Sequence, residues 1–172
     1  ADGNATIHNC LKRFLFVAQL ITVQPQKQEN GDEVVLLEDV KAQLPSIKPE
    51  ALILRTLPNP EEKLTRHYSG TNPPYLEHTI GQYLAEQGIQ HLLLDLPSVD
   101  RELDEGKLLC HHAFWQYPHN TRCGATITEL IYAPDHIADG LYLLNLQIAS
   151  LQLDASPSKP VLYPLSPVFP EL

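Results

Sequence analysis

Runs of consecutive apolar residues, separated by polar and proline-containing segments, dominate the pattern along this chain. The first run, residues 13–23, is rich in β-branched and aromatic residues and predicts a well-buried strand. Shorter runs predict further strands at residues 34–37, 51–56, 89–96, 125–132, 140–148 and 161–163. The run at residues 51–56 is likewise apolar without alternation, which is typical of a buried strand.

Helical patterns occur in three places between these runs. Residues 39–44 predict a brief helix that ends before Pro45. Residues 73–87 predict a longer helix, because they begin with two prolines, carry apolar residues near helical spacing and are followed by Gly88. Residues 106–115 predict a third helix, buried or half-buried.

The connections predict how these elements are joined. Residues 24–32 contain Asn30-Gly31, a sequence typical of hairpin turns. The order strand, loop, helix, strand over residues 51–96 is the signature of a βαβ crossover between parallel strands. The 15 prolines fall mainly in connections. We therefore expect an α/β fold with a mixed sheet, in a single domain that spans residues 1–172.

Charge and composition exclude several classes of partner. A net charge of −9 argues against a protein that binds nucleic acid through its phosphates. The chain holds no run of about 18 apolar residues, so we expect no membrane partner. Three cysteines without a CxxC pair argue against a disulfide framework and favour a reduced, cytoplasmic location. Cys110 could be a thiol nucleophile, but a small buried hydrophobe is its more common role.

The candidate chemistry lies in His111, His112 and Glu129. The two histidines occupy the third predicted helix, and the glutamate lies in an apolar run. A buried carboxylate needs compensation for its charge, and histidine with glutamate suits zinc or manganese. The structural alternatives are a core histidine whose ring nitrogens are hydrogen-bonded and a glutamate on a solvated strand face.

Two aspartates flank a turn at the end of another predicted strand. Asp95 and Asp100 border Pro97-Ser98-Val99 after the run at residues 89–96, where α/β proteins often place active sites. Aspartates in turns more commonly accept hydrogen bonds from backbone N–H groups. We therefore interpret both as turn residues.

Several segments together resemble the cyclase family, which contains the bacterial kynurenine formamidases and isatin hydrolase. They are GTNPPYL at residues 70–76, LDLPSVD at 94–100, DGLYLL at 139–144 and DASPSKPV at 154–161. The helix with histidines and the run with Glu129 fall between them in the family's order. The resemblance covers roughly residues 11–165, and the order of the segments is more specific than any one of them.

The resemblance implies a metal-dependent hydrolase on a swivelling β/β/α fold. It implies a bound zinc or manganese ion that activates water, a small-molecule amide or cyclic amide as substrate, and a homo-oligomer. Among the family's metal ligands, a histidine and a glutamate are similar in context to His111 and Glu129. Extra residues at 116–122 blur the choice between His111 and His112.

The family's main metal motif, His-x-Gly-Thr-His-x-Asp with a further histidine, does not occur in this chain. The family places it before the strand that here begins near residue 13. The sequence starts at Ala1 without methionine, so we expect the chain to lack an N-terminal segment that holds most of the ligands. The alternative is a non-catalytic binding or structural protein on the same scaffold that has lost the metal site.

Overall fold

Among the described residues, six strands form the main sheet, in the order β7–β6–β4–β1–β8–β9. They are β1 (Leu15–Val23), β4 (Ala51–Thr56), β6 (His91–Leu94), β7 (Thr126–Thr128), β8 (Gly140–Asn145) and β9 (Val161–Pro164). β1, β4, β6 and β7 run parallel, whereas β8 and β9 are each antiparallel to their neighbours. The computed structural model describes residues 5–44 and 48–165. The prediction of an α/β fold with a mixed sheet is confirmed.

A smaller sheet joins β2 (Gln26–Lys27), β3 (Glu33–Val35) and β5 (Tyr75–Leu76). β2 and β3 form the predicted hairpin, and Gly31 adopts a positive φ of 88° in its turn. β5 corrects the predicted helix at residues 73–87, whose first part is extended. Tyr75 and Leu76 pair in parallel with Val34 and Val35 of β3, and this pairing outweighs the helical preference of the local sequence.

Four α-helices and one 3-10 helix (Glu61–Leu64) accompany the sheets in the described part of the chain. The α-helices are named in chain order. They are α1 (Ile7–Cys10), α2 (Leu37–Gln43), α3 (His78–Glu86) and α4 (Leu109–Trp115). The predicted helix at residues 39–44 thus begins two residues earlier, and Pro45 lies outside the described residues, as does the start of the chain at residues 1–4. Among the helices in the described part of the chain, none is long and apolar enough to cross a membrane.

Helices α3 and α4 are in very close contact at Gly81. A Cβ atom at this position would lie 2.5 Å from the carbonyl oxygen of Cys110 and 3.0 Å from the backbone nitrogen of Phe114. Glycine therefore lets α4 approach α3 closely enough to bury Cys110 and Phe114 completely. This contact fixes the position of the helix that carries the two histidines.

Both faces of the main sheet are covered, which explains its uninterrupted apolar strands. On one face Leu52 and Leu54 of β4 pack in a cluster with residues of α3 and α4. On the other face Ile53 belongs to a second cluster, together with Phe16 and Leu144. Because β4, β6 and β7 are parallel, their carboxyl ends lie at one edge of the sheet, and the candidate site is built there.

Candidate functional site

Three segments that follow or face this edge bring His111, Glu129 and Asp100 together. His111 lies in the first turn of α4, Glu129 directly follows β7, and Asp100 lies in the loop after β6. The Nε2 atom of His111 is 3.6 Å from Oε1 of Glu129, and its Nδ1 atom is 2.7 Å from Oδ2 of Asp100. The ring is thus held between two carboxylates.

Asp100, which the sequence pattern assigned to a turn, belongs to this group. Its carboxylate accepts the backbone N–H groups of Cys110, at 2.7 Å, and His111, at 3.2 Å, at the start of α4. Burial alone would raise the pKa of Asp100, but the hydrogen bonds from His111 and the backbone outweigh it and lower this pKa. Asp100 does accept backbone N–H groups as expected of a turn residue, but they belong to a helix that begins nine residues later.

Glu129 is a partly buried carboxylate with incomplete compensation. Its Oε1 atom accepts the backbone N–H of Val99 at 3.2 Å. Burial raises the pKa of Glu129, and His111 and Val99 offset only part of this effect. The predicted strand at residues 125–132 ends earlier than expected, so Glu129 lies beyond the sheet edge instead of on a strand face. A carboxylate in this setting favours a nearby cation.

His112 is directed away from this pair. Its ring packs against Tyr117 with the ring centroids 5.1 Å apart. Neighbouring residues on a helix point about 100° apart, so the two histidines cannot both face Glu129. The ring of Trp115, one turn beyond His111, lies 5.2 Å from the His111 ring and donates its Nε1–H to the carbonyl of Ala125.

A cavity of about 1170 Å³ opens beside His111 and Glu129. Its walls are largely apolar and include Ile53 and Leu93 from the sheet. At its rim Leu108 and Leu130 are 41% and 62% exposed and have positive φ angles of 46° and 56°. Left-handed backbone is strained for a leucine, and such strain is often concentrated at functional sites.

Asp95, the other aspartate of the turn, does not belong to this group. It accepts the backbone N–H and the hydroxyl of Thr56 and pairs with Lys63, whose Nζ is 2.7 Å from Oδ2. The side chains of Lys63 and Asp95 are 5% and 0% exposed. This buried ion pair ties the loop after β4 to the end of β6.

Cys110, the candidate thiol nucleophile, is fully buried. Cys10, Cys110 and Cys123 are all free thiols. Burial raises the pKa of Cys110 to about 12, so its thiolate is scarce at neutral pH. Cys110 therefore acts as a small apolar residue in the contact between α3 and α4.

His111 and Glu129 suit part of a metal site. One imidazole nitrogen and one carboxylate oxygen are ligands that zinc and manganese accept. Within residues 5–44 and 48–165, no group of three or more histidine, cysteine, aspartate or glutamate side chains is arranged to hold a metal ion. A closed or catalytic zinc site takes at least three protein ligands, so the pair alone is incomplete.

The family model Cyclase ("Putative cyclase") matches residues 1–101. This chain belongs to the cyclase family. The kynurenine formamidase of Bacillus cereus is 37% identical to it over 93 residues, which are 54% of this chain and 41% of that protein. The kynurenine formamidase of Bacillus anthracis is 36% identical over the same shares of the two chains. This cyclase-family chain thus matches about two fifths of the length of these curated relatives.

Solved structures share the fold of this cyclase-family chain. One, described as a potential metal-dependent hydrolase with cyclase activity, superposes with a TM-score of 0.68 at 17% identity, over 97% of this chain and 74% of the other. Isatin hydrolase A from Labrenzia aggregata gives a TM-score of 0.59 at 12% identity, over 87% and 60% of the two chains. The family match ends at residue 101, so it includes Asp100 but not His111 or Glu129.

Proposed function

We propose that this cyclase-family chain forms part of a metal-dependent hydrolase that cleaves an amide or cyclic amide C–N bond, in the manner of an arylformamidase. Its curated relatives are kynurenine formamidases, and isatin hydrolase A shares its fold. The observation that carries the proposal is the placement of His111 Nε2 and Glu129 Oε1, 3.6 Å apart, beside a large apolar cavity.

In this proposal His111 and Glu129 hold a zinc or manganese ion through these two atoms. When bound, such an ion lowers the pKa of water and polarises a carbonyl group. Further ligands come from residues outside the described part of the chain, because two protein ligands give weak and exchangeable binding.

The cavity selects the substrate in size and polarity. Its apolar walls, including Ile53 and Leu93, accommodate the apolar body of a small molecule and exclude water from it. The amide carbonyl then lies at the polar end of the cavity, where His111 and Glu129 are found. A small-molecule amide therefore fits this site better than an extended polymer.

The test uses the protein as encoded, with any residues that precede Ala1. Its hydrolysis of N-formylkynurenine and isatin is measured with added zinc or manganese, and its metal content is measured by elemental analysis. We expect His111→Ala and Glu129→Gln each to lower metal content and turnover together. His112→Ala is the matched control and should lower both much less, because His112 packs on Tyr117.

Absence of both turnover and bound metal in the unmodified protein would contradict the proposal and favour a non-catalytic binding or structural role. Loss of metal in the His112 variant alone would show that the neighbouring histidine is the ligand. Full metal content in both histidine variants would place the site elsewhere.

Oligomeric state and cellular location stay predictions. The family resemblance predicts a homo-oligomer, and the cysteine pattern predicts a reducing compartment such as the cytoplasm. Size-exclusion chromatography with light scattering tests the first, and localisation of a tagged protein tests the second.

A further inference from the structure

The two ring nitrogens of His111 face different carboxylates. Nδ1 lies 2.7 Å from Asp100, within hydrogen-bond distance, whereas Nε2 lies 3.6 Å from Glu129, beyond a good hydrogen bond. A carboxylate only accepts hydrogen bonds, so the Nδ1 atom must carry the proton to make this contact. In the neutral ring the lone pair is then on Nε2, on the side of Glu129.

Asp100 is itself held firmly enough to fix the tautomer of His111. Its carboxylate accepts two backbone N–H groups at the start of α4, and its own N–H donates to the hydroxyl of Ser98 at 3.1 Å. The next residue, Arg101, donates two hydrogen bonds to the buried carboxylate of Asp32, at 2.9 and 3.1 Å. Asp32 also accepts hydrogen bonds from the side chains of Asn72 and Tyr75, next to the small sheet.

The same loop orients the second carboxylate of the site. Val99, the residue before Asp100, donates its backbone N–H to Glu129 at 3.2 Å. Two consecutive residues of the loop after β6 therefore contact both candidate ligands, and the pair of Arg101 with Asp32 anchors them from the other side.

We propose that Asp100 is a positioning residue that keeps His111 in the Nδ1–H tautomer, so that the Nε2 lone pair is available to a divalent metal ion beside Glu129. The inference rests on the proposed function for the ion. The tautomer itself is a property of this chain without metal. Outer carboxylates of this kind fix both the tautomer and the orientation of a ligating histidine.

The first test is long-range ¹H–¹⁵N NMR of the metal-free chain at pH 8, with ¹⁵N-labelled histidine and His111→Gln to assign the signals. We expect the unmodified chain to show a protonated Nδ1 and an unprotonated Nε2 at His111. In Asp100→Asn the amide oxygen can keep the shorter backbone contact, from the Cys110 N–H at 2.7 Å, and give up the longer one, from the His111 N–H at 3.2 Å. The amide NH₂ group then lies beside Nδ1 and reverses the tautomer. Asp100→Ser has a side chain too short to reach the ring, so it should give a mixture of the two tautomers.

An Nε2–H tautomer in the unmodified chain would overturn the inference, as would an unchanged tautomer in both Asp100 variants. Glu129→Gln is the matched control: it alters the carboxylate on the opposite side of the ring and should leave the Nδ1–H tautomer in place. A purely structural role of Asp100 would lower stability in both variants without reversing the tautomer in either.

The second test measures zinc affinity in the protein as encoded. Loss of an outer-shell carboxylate typically weakens metal binding by about 10–100-fold, and we expect Asp100→Asn to do so. Undiminished affinity in this variant would overturn the role of Asp100 toward the ion. If the unmodified protein binds no zinc but shows the Nδ1–H tautomer, the proposed function fails while the positioning of His111 by Asp100 stands.

Discussion

Removing the negative charge of Asp95 should destabilise the protein strongly, because it strands a buried lysine. Lys63 Nζ lies 2.7 Å from Asp95 Oδ2, and both side chains are almost fully buried. Asp95 Oδ1 also accepts the backbone N–H and the hydroxyl of Thr56, at 3.1 and 2.8 Å. Asparagine can accept these same two hydrogen bonds through its Oδ1 atom, so Asp95→Asn removes the charge with little change in shape.

The expected loss of stability in Asp95→Asn depends on the hydrogen bonds that Lys63 keeps. Breaking a buried ion pair by removing one partner costs about 3–5 kcal/mol. Lys63 retains the carbonyl and hydroxyl oxygens of Thr56, at 2.6 and 3.0 Å. We therefore expect a loss near the lower end, about 3 kcal/mol in the free energy of unfolding. Adding Lys63→Met removes the stranded charge and should recover at least about 1 kcal/mol.

Urea denaturation at pH 7, followed by far-UV circular dichroism, measures these differences. The matched control is Glu105→Gln, which breaks an exposed ion pair with Lys107 and should give no measurable change. The reasoning is refuted if Asp95→Asn lies within about 1 kcal/mol of the unmodified protein. It is also refuted if the double variant is no more stable than Asp95→Asn alone.

Two further predictions concern the contact between α3 and α4 and the loss of stability at acid pH. Gly81→Ala should lower the free energy of unfolding by about 1–3 kcal/mol, because the added methyl group overpacks against the Cys110 carbonyl. Gly124→Ala is the control and should lower it far less, since a Cβ there meets no atom within 4 Å. Equal thermal melting points for the two variants would contradict this prediction. Burial lowers the pKa of His91 to about 4, below its value in the unfolded chain. The unfolded state therefore binds more protons than the folded state, and the free energy of unfolding falls as pH drops from about 7 toward 4. His91→Gln should show a shallower fall between pH 7 and pH 5 in urea denaturation, and parallel pH profiles would exclude His91 as the cause.

The strands were predictable because their signal is local and strong. A strand buried on both faces is apolar at nearly every position, as in β4, whose predicted bounds are those observed. The error at residues 73–76 has a nonlocal cause. Tyr75 and Leu76 pair with Val34 and Val35, some forty residues earlier, and nothing in the local pattern shows that partner.

Some residues of the candidate site could be predicted from the local sequence, and others could not. His111 and Glu129 stand out by residue type, since a histidine pair and a glutamate within an apolar run are unusual in themselves. Asp100 looks like any aspartate after a strand, and its contact with α4 depends on how the intervening loop folds back. The ion pair of Asp95 with Lys63 could not be predicted either, because Lys63 belongs to a charged loop whose sequence is typical of an exposed segment.

The two left-handed leucines at the cavity rim bear on how this protein can evolve. Leu108 and Leu130 each hold a conformation that costs a side chain of this kind about 1–2 kcal/mol, and both expose apolar surface. Selection for thermal robustness alone would replace them with asparagine or glycine, which adopt this backbone cheaply. Such replacements would remove apolar surface from the rim of the cavity, so relief of backbone strain at these two positions comes with loss of the apolar rim.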